Sequence, residues 1–412
     1  MTLQTIVVVH DFAHVNGGAA QVAVSGAIGL AERGLRVIFF AAAGPVDPRL
    51  TDAGITVHCL DQSSLLDNAN RLQAAWQGIW NVAAAKALQA VLRSLDPRST
   101  VVLLHSWSRA LSASIVPTIR EGGFRLACTL HDYFIACPNG GFYDFPAGIP
   151  CERTPLSLSC ITCNCDARRY THKLWRVARH AVQRRWGEIP TGIDTVIAVS
   201  QFSLDRLAAY LPHHAQVRLV GNPIDVDRTP AVAAATNRPF VMIGRLAPEK
   251  GALLLAEAAG QTGLPVTFIG EGPDEAALRH LCPEATFSDG WASRDQVLSA
   301  LGGARALVFP SRLYEVQGLT VLEAAARGIP SVVSDGCAAR DQVIDGQTGL
   351  WFRAGDVDDL AAKMRLLTDD ALVERLGRAA YQGYWSEPWT MARHIDRLTE
   401  VLTDMLVGKV RR

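Results

Sequence analysis

The chain lays out the same supersecondary plan twice. Gln4 to Val9 is a short β-branched run leading into a polar loop with Gly17 and Gly18. A helical stretch from Ala19 to Arg33 follows, stopped by Gly34, and then a second apolar run from Leu35 to Phe40. Farther on, Pro239 to Ile243 meets Gly244, a polar loop to Lys250 and Gly251, a helical stretch to Gly260, and the run Pro265 to Ile269. Parallel strands cannot be joined by a tight turn, so strand, glycine loop, helix and strand in that order predict βαβ construction. The runs Val101–Leu104, Thr195–Val199, Ala306–Phe309 and Ser331–Ser334 are apolar throughout, as befits strands covered on both faces.

The expected fold class is therefore α/β, with two Rossmann-like doubly wound domains facing a central cleft. At 412 residues, the chain is long enough for two such cores. Residues 221–238, rich in Pro, Ala and polar side chains and without periodicity, mark the seam. The expected division is an N-terminal domain at 1–222 with a cysteine-rich insertion near 137–165, a second domain at 223–388, and a C-terminal helix in 389–412 that packs back toward the N-terminal domain.

Composition narrows the function. A chain with 49% hydrophobic residues is too apolar for disorder, and 40 Lys+Arg against 40 Asp+Glu gives no general attraction to nucleic acid. No run reaches the roughly 20 apolar residues of a membrane span, and Ile6–Val9 is too short for a signal-peptide core. A cytoplasmic, reducing location is expected, so the nine cysteines are not read first as disulfides.

The richest stretch is Phe309 to Pro330. A strand ends, a loop carries Glu315, and Gly318 precedes a run of helix formers with Glu323 eight residues beyond Glu315. A helix opening at Gly318 would point free N–H groups, those of Leu319 and Thr320 among them, at an anion, with the two carboxylates placed to accept hydrogen bonds from sugar or ribose hydroxyls. Gly244-Arg245 with Glu249-Lys250 offers a planar fork and a point charge, a natural pair for a diphosphate. Gly270-Glu271-Gly272-Pro273, after the run Val266–Ile269, permits close backbone approach to a ligand. Taken singly, each has a plainer reading as solvated helix charge or exposed loop cation.

Together, and in this order, these pieces resemble glycosyltransferase family 4, the glycosyl transferases group 1. The stretches that carry the resemblance are Gly17-Gly18, TLHDYF with His131, VSQFSLDRL, GNPID, GRLAPEKG, GEGPDE, the Glu315/Glu323 pair, GIPSVVSD and DGQTGLWF. The resemblance implies the two-domain GT-B fold, a nucleoside-diphosphate sugar donor (UDP- or GDP-linked) and transfer with retained anomeric configuration. It places Arg245 and Lys250 on the diphosphate, Glu323 on the ribose and Glu315 on the sugar. Gly244, Glu271, Gly272 and residues Gly318 to Thr320 would line the donor, the Gly17-Gly18 loop would close over the reacting centre, and His131 would touch sugar or acceptor. Val316 and Gln317 replace the usual small and aromatic residues, and Asp341 stands where Glu is common.

No catalytic metal is expected. Asp225-Val226-Asp227 lies in the seam beside Asn222-Pro223 and reads as a turn rather than a metal motif. Cys137, Cys151, Cys160 and Cys163, with Cys165 two positions later, are instead a candidate structural zinc site, with an iron–sulfur centre as a lesser option. Cys59, Cys128, Cys282 and Cys337 read as core residues. After the cysteines, Asp166 to Trp186 is strongly basic, with Tyr170, Leu174, Val177 and Ala181 at helical spacing. It reads either as a surface helix packing that apolar stripe inward or as a segment lying on an anionic membrane, peripheral on its inner face. No G-x-S-x-G elbow or G-x-G-x-x-G loop points to a hydrolase or a dinucleotide enzyme. The activity expected is hexosyl transfer to a glycan or lipid-linked acceptor in polysaccharide or cell-envelope assembly. The alternatives are a non-catalytic subunit of the same fold that partners another transferase, and another GT-B enzyme such as a nucleotide-sugar epimerase.

Overall fold

A computed structural model describes residues 2–288, 290 and 294–407. Two parallel sheets organise the chain, in agreement with the α/β class expected. The first runs β3-β2-β1-β4-β5-β8-β9, from β1 (Thr5–Phe12), β2 (Arg36–Ala43), β3 (Thr56–Cys59), β4 (Thr100–Leu104), β5 (Arg125–Leu130), β8 (Thr195–Ala198) and β9 (Gln216–Leu219). The second runs β12-β11-β10-β13-β14-β15, from β10 (Phe240–Ile243), β11 (Val266–Ile269), β12 (Thr286–Phe287), β13 (Ala306–Phe309), β14 (Ser331–Ser334) and β15 (Gly349–Phe352). A small antiparallel hairpin, β6 (Tyr143–Asp144) with β7 (Ile149–Pro150), stands apart in the cysteine-rich insertion.

Burial on both faces explains the continuous apolar runs. Along β1, Val7 and Val9 enter one core with Ile38, Phe40, Val102 and Leu104, while Ile6 and Val8 enter the opposite one with Val37, Phe39, Val101 and Leu103. Every residue of β1 is buried. The second sheet repeats the pattern, with Phe240 and Met242 on one side and Val241 on the other. Of the scattered cysteines, Cys128 and Cys337 are fully buried, whereas Cys59 and Cys282 are only half-buried at the rim of their cores.

The last helix, Met391–Val407, buries Ile395, Leu398, Val401, Leu402, Met405 and Leu406 in the core of the first sheet. It lies against the helix Gly18–Glu32 so closely that a Cβ on Gly29 would come within 2.7 Å of the Ile395 side chain. Hydrogen bonds tie the connecting segment to the rest, among them Ile224 N–H to the Trp389 carbonyl at 2.9 Å and Asn222 N–H to Gln317 Oε1 at 2.9 Å.

Two expectations need correction. The basic stretch does form a helix, Tyr170–Arg185, but it does not pack its apolar stripe inward. It buries Lys173, Arg179, His180 and Gln183 and leaves Tyr170 and Leu174 exposed. The polar residues go inside because partners wait there. Arg179 donates to the Ser108 carbonyl at 2.9 Å and stacks on Phe134 and Trp175, while Gln183 bonds the Trp107 indole and the Phe134 carbonyl.

The single-ion zinc reading of Cys137, Cys151, Cys160 and Cys163 also fails. Among the described residues, no three His, Cys, Asp or Glu side chains gather closely enough to hold one metal ion. Instead, the Lys173 ammonium reaches both Cys160 and Cys165, and the Cys163 thiol turns to Asp144.

Candidate active site

The loops that follow β10 and β11 are stitched backbone to backbone. Gly244 N–H donates to the Ile269 carbonyl and Leu246 N–H to the Glu271 carbonyl, both at 2.9 Å, and Asp274 N–H to the Leu246 carbonyl at 3.0 Å. The fit leaves no room for a side chain: a Cβ on Gly272 would sit 2.1 Å from the Leu246 carbonyl oxygen. Gly251 ends the Pro248–Lys250 turn in the left-handed region (φ 76°) and starts the helix Ala252–Thr262, and a Cβ there would lie 2.1 Å from the Pro310 carbonyl. The loop holding Lys250 is thus pressed against the loop after β13.

That second loop carries Glu315, the site's most constrained residue. Its φ is +49°, a left-handed conformation unusual for glutamate. Glu315 Oε1 accepts from Lys250 Nζ at 2.5 Å and from Ser311 Oγ at 2.9 Å. Its backbone carbonyl accepts from the Tyr133 hydroxyl at 2.6 Å, a contact from the first sheet's side of the molecule to the second's. Burial pulls the Lys250 ammonium's pKa down, but the adjoining Glu315 carboxylate more than offsets it, and the net direction is upward. Lys250 therefore stays a cation. Arg245 reaches outward with most of its side chain exposed and only a 3.9 Å approach to Glu249.

Gly318 precedes the helix Leu319–Ala326, whose first turn has no side-chain cap. Thr320 Oγ1 in that turn is buried without a hydrogen-bond partner among the described residues. Uncapped N–H groups and an unsatisfied hydroxyl together suit an anionic or hydroxyl-bearing ligand. Glu323, half-buried on the same helix, lies near enough to help burial push the Tyr384 phenol up to about 12. Glu271 and Arg245 are exposed at the outer edge.

On the opposing side, His131 follows β5 and its Nε2 lies 2.8 Å from His105 Nδ1, the rings stacked. Burial pushes His131 down to about 3, so the pair is neutral at physiological pH. Asp132 is pushed up to about 6, again by burial. Gly17 and Gly18 are exposed at the start of the helix Gly18–Glu32. Direct contacts therefore unite Lys250, Ser311, Glu315 and Tyr133. Among the described residues they do not extend to Gly17 or Gly18.

Sequence reasoning missed Ser311 and Tyr133. Tyr133 lies two residues beyond His131 inside TLHDYF, so the motif itself carried the signal. Asp11 was also missed as an organiser: fully buried, it accepts from the backbone N–H groups of Arg109, Ala110 and Leu111 and from Ser106 Oγ, fixing the loop after β4. Gln317 and Asp341 depart from the usual pattern and both work across the seam. Gln317 pairs with the Asn222 backbone, and Asp341 accepts from Phe202 N–H at 2.7 Å.

Comparison with known proteins identifies the family and the fold. The family model described as Glycosyl transferases group 1 matches residues 225–383, and that described as Glycosyltransferase Family 4 matches residues 16–228. A glycogen synthase of Mycobacterium tuberculosis is 34% identical over 212 residues, 47% of this chain and 50% of that protein. A GDP-mannose-dependent alpha-mannosyltransferase of Mycolicibacterium smegmatis is 29% identical over 228 residues, 52% of this chain and 56% of that one. The chain thus spans about half the length of these curated relatives. Among solved structures, a glycosyltransferase from Rickettsia africae superimposes with a TM-score of 0.68 at 14% identity, over 99% of this chain and 100% of that one. HepE of Anabaena, solved with UDP, gives 0.67 at 16% identity, over 98% and 100%. At such identities the likeness shows the fold, which is GT-B. Since the match over residues 16–228 alone covers more than half of the 412 residues, the chain belongs to glycosyltransferase family 4.

Proposed function

We propose that the protein is a retaining hexosyltransferase that moves a sugar from a UDP- or GDP-linked donor to a glycan or lipid-linked acceptor in polysaccharide or cell-envelope assembly. The observation that carries the reading is the Lys250–Glu315–Ser311 cluster beside the uncapped helix at Gly318, with Thr320 Oγ1 unsatisfied. In the reaction, Lys250 and Arg245 hold the diphosphate and offset the charge that grows on it as the glycosidic bond breaks. Glu323 takes the ribose, Glu315 the sugar hydroxyls, and neutral His131 faces sugar or acceptor. The acceptor hydroxyl attacks the anomeric carbon from the face the diphosphate leaves, and a departing phosphate oxygen takes its proton. These cations make a catalytic metal unnecessary. The names of the relatives, one GDP-mannose-dependent and one solved with UDP, keep both bases in play.

Calorimetric titration of UDP and of GDP tests the reading. One nucleotide should bind, and Lys250→Ala should weaken it about 10- to 100-fold, the equivalent of losing a charge-assisted hydrogen bond of about 1.5–3 kcal/mol. If neither nucleotide binds the wild-type chain, the donor-site assignment is lost.

We also propose that the acceptor side rests on an anionic membrane surface. Among the described residues, no helix is long and apolar enough to cross a membrane. The neighbouring helices Arg71–Ile79, Leu158–Thr162 and Tyr170–Arg185 nevertheless expose Leu72 (77%), Trp76 (71%), Leu158 (78%) and Leu174 (42%). Exposed Arg71, Arg168, Arg169, Arg184 and Arg185 accompany them. Apolar side chains amid arginines suit the headgroup boundary of an anionic leaflet. Sedimentation with phosphatidylglycerol vesicles should exceed that with neutral vesicles and fall several-fold in a Leu72→Ser/Trp76→Ser variant. Equal sedimentation with both lipids would refute the membrane role.

A further inference from the structure

Five cysteines of the insertion, Cys137, Cys151, Cys160, Cys163 and Cys165, line one small recess partly open to solvent. Lys173 lines the same recess and is 1% exposed. Its Nζ donates to Cys165 Sγ at 3.2 Å and Cys160 Sγ at 3.4 Å, and no carboxylate pairs with it among the described residues. The nearby carboxylates are engaged elsewhere, Asp144 by Arg153 and Asp166 by Arg176. A buried ammonium needs negative charge beside it. Neutral thiols do not provide that, and a disulfide would not either.

A single tetrahedral ion would supply the charge, but it would draw its sulfurs to within about 4 Å of one another, given metal–sulfur bonds near 2.3 Å. The thiols here ring a recess without converging on one point. A polynuclear centre removes the conflict, because its irons divide the thiolates between them and ligands on different irons stand farther apart. We propose that this recess holds an iron–sulfur cluster ligated by Cys137, Cys151, Cys160 and Cys165. Four thiolates on either common cluster core leave a net negative charge facing Lys173.

Three of these four sulfurs have hydrogen-bond donors aimed at them, as cluster ligands do. Lys173 serves Cys160 and Cys165, Asn139 Nδ2 approaches Cys165 at 3.9 Å, and Arg153 approaches Cys151 at 3.6 Å. Cys163 differs. Its thiol donates to Asp144 Oδ2 at 3.1 Å, a partner that would repel a thiolate. The structure thus ranks Cys165 above Cys163 as a ligand. The cluster would brace the insertion where it meets the donor loop, since Gly141 lies against Leu313 and Gly148 against Arg312. The proposal does not rest on the donor-site reading.

The test uses the full chain purified without oxygen and, where needed, reconstituted with ferrous iron and sulfide under reductant. Iron and acid-labile sulfide should be present in equal amounts, at least about two of each per chain, with thiolate-to-iron absorption in the visible. Zinc alone, or neither iron nor sulfide after reconstitution, overturns the proposal. Cys163→Ser should keep the absorption and Cys165→Ser should lose it; the reverse result overturns the ligand set. Lys173→Met keeps every thiol, so it separates loss of the cluster from failure to fold. With the far-ultraviolet circular dichroism of the wild type, it should lose iron to a chelator about tenfold faster, and an unchanged rate would refute the role given to its charge.

Discussion

Glu315 is held in a left-handed backbone conformation that costs on the order of 1–3 kcal/mol for a non-glycine residue, and three side chains maintain it. Lys250 and Ser311 fix the carboxylate, and Tyr133 fixes the carbonyl from across the cleft. The Tyr133 hydroxyl is therefore a positioning group: it touches the loop that presents Glu315 rather than the donor itself. Tyr133→Phe keeps the ring contacts with Phe142 and Tyr314 and removes only this hydrogen bond, worth about 1 kcal/mol. Transfer assays should show kcat reduced about five- to tenfold with the donor KM changed less than twofold. Equal losses in the Phe variant's thermal stability and in its kcat would point to a purely structural bond instead.

The helix Met391–Val407 closes one face of the first sheet, although it comes last in the chain. Leu402, fully buried there, should cost about 2–5 kcal/mol when changed to Ala, read by urea unfolding. A loss below 1 kcal/mol would mean that this face does not need the helix. Its apolar spacing was plain in the sequence, as were both βαβ units, because glycine loops and unbroken apolar runs mark buried parallel strands. Edge strands were harder to see. Thr56–Cys59 and Gln216–Leu219 are half-exposed and mix polar with apolar residues, so neither run rises above a loop. The helix Tyr170–Arg185 misled for a different reason. Its buried polar face is stabilised by Cys160, Cys165, Ser108, Phe134 and Trp107, partners distributed along the chain that local periodicity does not register. In the proposed donor site, the Glu315/Glu323 and Arg245/Lys250 pairs stood out by spacing. Tyr133 and Ser311 act through contacts that only the tertiary fold makes.

Across the whole molecule, burial of neutral histidines sets the response to acid. Burial pushes His131 and His180 down to about 3, and it also lowers His10, His105 and His394. In the unfolded chain each titrates near 6.5, so below about pH 6.5 the unfolded state binds more protons than the native one, down to about pH 3 for His131 and His180. Stability is then complete above about pH 6.5 and declines as pH falls, by up to about 1.4 kcal/mol per pH unit for each such histidine. Asp132 works the other way. Raised to about 6 by burial, it takes up a proton in the native state before the unfolded chain does, offsetting roughly one histidine between pH 6 and 4. His180 isolates the effect, because it is 2% exposed and its Nε2 has no hydrogen-bond partner among the described residues. Urea unfolding between pH 7 and 5 should show that His180→Met flattens the decline by about one proton's worth, whatever it does to stability at pH 8. An unchanged slope would mean that His180 takes up its proton in the native state as readily as in the unfolded one.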